Sequence, residues 1–130
     1  MTREEFEALV ADGFAQLPEW VRKKISNVAL LIEDEPSAEV RAREHLGPDE
    51  TLLGYYQGTP LAERGQHYGI GMTMPDTITL YKTSIEIAAQ EDGLPVGQVI
   101  AETIWHEFAH HFGMDEHEVR TREKLRDGGV

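Results

Sequence analysis

Within the stretch "WHEFAHHFGMDEHE", Trp105 to Glu118, lie four of the chain's six histidines and four of its carboxylates. His106 and His110 stand four residues apart, so on a helix their imidazoles lie side by side on one face. Two neutral imidazoles bind Zn²⁺ well, and one further protein ligand leaves a coordination position open for water. Glu107 is next to the first histidine and falls one step round the helix. It is off the line of a natural third ligand, yet within reach of a metal-activated water. A carboxylate placed there can take a proton from that water and pass it to a leaving amine. HEFAH is the one segment of the chain with His-Glu-x-x-His spacing.

The third ligand must come from the residues after His110: His111, Phe112, Gly113, Met114, Asp115, Glu116, His117. Gly113 suits the left-handed conformation that ends a helix and can turn the chain back toward an ion. Asp115, Glu116 and His117 are then the candidates, and the residues alone leave the choice open. Cysteine is absent, which excludes disulfides, thiolate ligands and cysteine nucleophiles.

A metal-binding helix needs an anchored face. Counting from Ile100 at about 100° per residue, Ile104, Phe108 and Phe112 fall at about 40°, 80° and 120°, one apolar stripe. His106 and His110 fall at about 240° and 280°, and Glu107 at about 340°. His111, at about 20°, lies beside the stripe and reads as a hydrogen-bonded or core histidine rather than a ligand. This helix is expected from Pro95 to Phe112, ended by Gly113, with a last helix over Asp115 to Arg126.

The elements before it are read from pattern. Thr2 with Glu5 has capping-box spacing and opens a helix to Gln16, with Phe6, Leu9, Val10 and Phe14 as its core stripe. Pro18 opens a second helical stretch through Ile25. "NVALLIEDEP" predicts a strand covered on both faces, because its apolar run is unbroken. "SAEVRAREHL" predicts a short exposed helix, and "TLLGYYQGTP" a strand running into a turn. Leu61 to Pro75 reads as a flexible glycine-rich loop. "DTITLYK" alternates as a half-buried strand, and "SIEIAAQEDG" is a helix ending at Gly93. Tyr55, Tyr56, Tyr68 and Tyr81 read as packing aromatics of strands or loops, although one of them can serve as donor to an oxyanion. The sum is an α+β fold of about three strands and several helices, with residues 1–130 forming one domain.

The formal net charge is -12, with acids spread along the chain. Such a surface repels nucleic acid and anionic lipid, so neither is an expected partner. The longest apolar run, Val28 to Ile32, is too short to span a bilayer. The first residues, "MTREEFEALV", lack the apolar core of a secretory signal, and we expect a cytoplasmic protein.

The long motif HExxHxxGxx, with a ligand after it, resembles that of metzincin peptidases. The match is closer to the minimal zincin-like metallopeptidases, small bacterial single-domain proteins. "LLGYYQGTPLAERG" (Leu52 to Gly65), "DTITLY" (Asp76 to Tyr81) and "HEFAHHFG" (His106 to Gly113) resemble that group's hallmarks, in order and at suitable separation. No methionine follows Met114, so the methionine turn of full metzincins has no candidate. The resemblance implies a small zincin-like domain with a mixed sheet. It further implies zinc held by His106, His110 and Glu116, and Glu107 as general base acting on a peptide or protein substrate. The alternative expectation is a non-catalytic, metal-stabilised module that binds a partner.

Overall fold

Thr2 starts the first helix as its spacing predicts. Its hydroxyl accepts from the Glu5 amide at 3.1 Å, and the Glu5 carboxylate accepts from the Thr2 amide at 3.0 Å. The Thr2 amide, then its hydroxyl, hold the Glu5 carboxyl below the usual carboxylate range. The computed structural model describes residues 1–58 and 76–111. In chain order they form α1 (Arg3–Ala15), α2 (Glu19–Lys24), β1 (Ala29–Glu33), α3 (Ala38–Arg43), β2 (Gly54–Gln57), β3 (Thr77–Tyr81), α4 (Lys82–Asp92) and α5 (Val96–His111). The fold is α+β, with five described helices and a three-stranded mixed sheet. The Leu61 to Pro75 loop, Phe112, Gly113 and the last expected helix lie outside the described residues.

The strand order is β1-β3-β2, with β1 parallel and β2 antiparallel to β3. The register sets Leu30 and Ile32, Ile78 and Leu80, and Gly54 and Tyr56 on one face. That face packs on the helices. Two strand expectations change places. The unbroken apolar run forms an edge strand covered on one face, and Leu31 is 44% exposed. The alternating segment forms the central strand, buried on both faces from Ile78 to Tyr81. A strand paired on both sides buries whatever its other face carries, and here that is Thr79 and Tyr81. Burial pushes the Tyr81 phenol up to about 12.

α5 runs through the core. Ile100, Ile104, Trp105 and Phe108 are all but inaccessible to solvent. α1 crosses it closely, and Gly13 makes that crossing possible. A Cβ there would stand 3.1 Å from Ile100 Cγ2 and 3.4 Å from the Ala101 nitrogen. α3 ends with His45 at φ 55, where the Leu46 amide donates to the Arg41 carbonyl at 2.9 Å. α4 ends in Gly93 at φ 67, as expected. No described helix is long and apolar enough to cross a membrane.

Candidate metal centre and catalytic carboxylate

Along α5 the motif divides by face, as its period predicts. Trp105, Phe108 and Ala109 are buried, His106 and His110 are exposed, and Glu107 lies between. The buried side is held by an aromatic cluster with α2. Trp20 meets Trp105 edge-on at 5.8 Å and Phe108 at 5.5 Å. Each such pair adds about 0.5–1.5 kcal/mol beyond burial of its area. Rolling the helix would break both, so the exposed face is fixed by the buried one.

The His106 and His110 rings have centroids 6.3 Å apart and are tilted by 54°. Two imidazoles sharing a tetrahedral zinc have ring centres about 5 Å apart. The exposed side chains close that difference by rotation, so the pair fits the ion. Among the described residues no group of three metal-binding side chains converges. Asp115, Glu116 and His117 lie outside them. The structure therefore brings together His106, His110 and Glu107, and does not describe the expected third ligand, Glu116.

Glu107 points from the helix toward the outer edge of β2. Its Oε1 accepts from the Tyr56 amide at 3.0 Å. Burial pushes its carboxyl above the usual range, the Tyr56 hydrogen bond and His110 draw it down, and Glu44 adds to the rise. An open cavity of about 410 Å³ lies here, lined by Glu44, Gly54, Tyr56, Glu107, His110 and His111 among others. A larger cavity of about 600 Å³ lies between α1 and α5, but no residue of the motif lines it. Chemistry, rather than volume, makes the smaller one the candidate site.

Three residues near the carboxylate carry weight that the sequence reading did not assign. Gly54 lets the backbone of β2 approach α5. Tyr56 supplies the amide, and its hydroxyl donates to Asp76 Oδ2 at 2.9 Å. Asp76 in turn stands 4.0 Å from His111 Nε2. For His111 only the core alternative fails: it is exposed, stacks on the Tyr56 ring at 3.6 Å and stands beside Asp76. It occurs at the end of α5, where the helix faces an edge-strand side chain instead of the apolar interior. The period of a strand was the available signal, since Gly54 and Tyr56 share a face.

The sequence profile of the zincin-like metallopeptidases matches residues 25–125. The solved structure of a conserved hypothetical protein from T. thermophilus is similar, with a TM-score of 0.55 at 25% identity. That match covers 85% of this chain and 94% of the other. No match is found among curated proteins. With the profile spanning most of its length, the chain belongs to the zincin-like metallopeptidase family.

Proposed function

We propose that the protein is a zinc-dependent peptidase, with His106, His110 and Glu116 holding the ion and Glu107 as general base. When bound, zinc supplies the Lewis acidity that polarises a carbonyl and makes water acidic near neutral pH. The chain does the rest. With Glu107 Oε1 engaged by the Tyr56 amide, Oε2 is the oxygen that takes the proton from the attacking water and returns it to the leaving nitrogen. The Tyr56 amide points away from β3, so Gly54, two residues earlier, also turns its backbone groups to the outer edge. An extended peptide lies along that edge, its main chain paired beside the carboxylate.

The observation that carries this reading is the position of Glu107. It is half-buried, in a cleft, on the same helix turn as the histidine pair. The test is hydrolysis of a mixed peptide library by zinc-loaded wild type beside Glu107→Gln. Equal rates would remove Glu107 from the mechanism. Metal content, measured by mass spectrometry, is expected to fall below stoichiometric in His106→Ala and Glu116→Ala. Full zinc in Glu116→Ala would move the third ligand to Asp115 or His117.

A further inference from the structure

We propose that β2 is a clamp that aims Glu107, with Gly54 and Tyr56 as its positioning residues. The inference rests on the reading of Glu107 as the base. Its geometry comes from two points on β2, the missing side chain of Gly54 and the edge amide of Tyr56.

At the first point, the strand has no side chain. A Cβ on Gly54 would stand 2.6 Å from Thr103 Cγ2, 3.3 Å from the Thr79 carbonyl oxygen and 3.5 Å from Glu107 Cγ. The first distance is shorter than real Cβ atoms show. Thr103 does not yield easily. It is buried, and its hydroxyl donates to the Val99 carbonyl at 2.7 Å, so turning the methyl away breaks that bond. Any side chain at position 54 therefore drives β2 and α5 apart.

At the second point, the Tyr56 amide holds Glu107 Oε1 at 3.0 Å. Tyr56 is itself held, by its hydroxyl on Asp76 and by its ring on His111. Separating strand from helix lengthens the hydrogen bond from the Tyr56 amide to Glu107 toward the distance where it ceases to be one. A glutamate released in this way samples other rotamers, and its carboxylate is no longer aimed. The backbone of β2 thus selects the conformation of the base, and Gly54 sets the spacing at which it can.

The test uses Gly54→Ala, Thr103→Ser and the double variant on the zinc-loaded full chain. Thr103→Ser removes the obstructing methyl and keeps the hydroxyl. In Gly54→Ala, kcat falls on the order of 100-fold, because a misplacement of about 1 Å costs that much. Zinc content stays near wild type, and the loss falls on kcat more than on KM. The double variant recovers most of the lost kcat, and Thr103→Ser alone keeps it. A second arm needs no turnover. Hydrogen exchange at the Tyr56 amide, followed by NMR, is slow in wild type, fast in Glu107→Ala, faster than wild type in Gly54→Ala, and slow again in the double variant. The clamp is overturned by wild-type kcat in folded Gly54→Ala, by a double variant no better than the single one, or by Tyr56 exchange that ignores Glu107→Ala. If Gly54→Ala does not fold, recovery of fold and kcat in the double variant decides the matter, and its failure there counts against the clamp. A wild type that cleaves no peptide defeats the peptidase reading, while the exchange arm still decides whether β2 holds Glu107.

Discussion

The two outer edges of the sheet are each met by a charged side chain from a helix, and they are met differently. At β1, Arg3 of α1 donates to the Ile32 carbonyl at 3.1 Å. At β2, Glu107 of α5 accepts from the Tyr56 amide at 3.0 Å. Each occupies one backbone group of its edge, the Ile32 carbonyl at β1 and the Tyr56 amide at β2. The Arg3 bond is exposed, and the same guanidinium also reaches Glu7 at 3.3 Å. The Glu107 bond is partly buried, with a strand and an aromatic ring around it. Hydrogen bonds gain strength and directional stiffness as water is excluded. One contact is a surface cap, and the other can hold a reacting group. What separates them is burial and neighbours, not bond type.

The largest expected effect breaks this symmetry outright. Glu107→Gln lowers kcat/KM by about a thousandfold, within the range for loss of a general base, while Arg3→Ala leaves it within about twofold. Steady-state kinetics on the two variants checks both. The central strand sharpens the contrast, since β1 and β2 take both of its edges. Burial pushes the folded Tyr81 phenol up to about 12, against about 10 when unfolded. Its contribution is therefore fully present below pH 10 and is lost as pH rises from about 10 to about 12, about 3 kcal/mol in all. Urea unfolding across that window should show this loss in wild type and a flatter alkaline limb in Tyr81→Phe. Tyr56→Phe removes the hydroxyl bond to Asp76 but keeps the amide, so it costs about 1–2 kcal/mol of stability and little kcat. A kcat loss as large as that of Gly54→Ala would extend the clamp from the backbone to the Tyr56 hydroxyl and its bond to Asp76. Arg3→Ala is the smallest, at most about 1 kcal/mol in the same unfolding assay.

The helix of the site was legible because its period is local. His106, His110 and Glu107 occupy the faces that the count of residues assigns, and Phe108 occupies the core. The capping box at Thr2 and the stop at Gly93 are likewise short-range matters of side chain and φ. Burial of the strands was not legible, because it depends on who lies next to whom. Val28 to Ile32 looks like an interior strand and sits at the edge. Thr77 to Tyr81 looks half-wet and sits at the centre. The role of Gly54 is a fact about the distance between two elements far apart in sequence, and no pattern around it announces that. Asp115, Glu116 and His117 are adjacent and all able to bind metal, so composition alone does not choose among them.

The crossing at Gly13 bears on the order in which the molecule assembles. It joins the first helix to the last one described, so a long stretch of chain must be gathered before that contact forms. The helix that carries the histidines thus has, as one of its seats, the earliest segment of the chain. Contacts of such long range slow folding. The helix proposed to do chemistry is therefore seated by a contact that closes a long loop, one of the slower kinds to form.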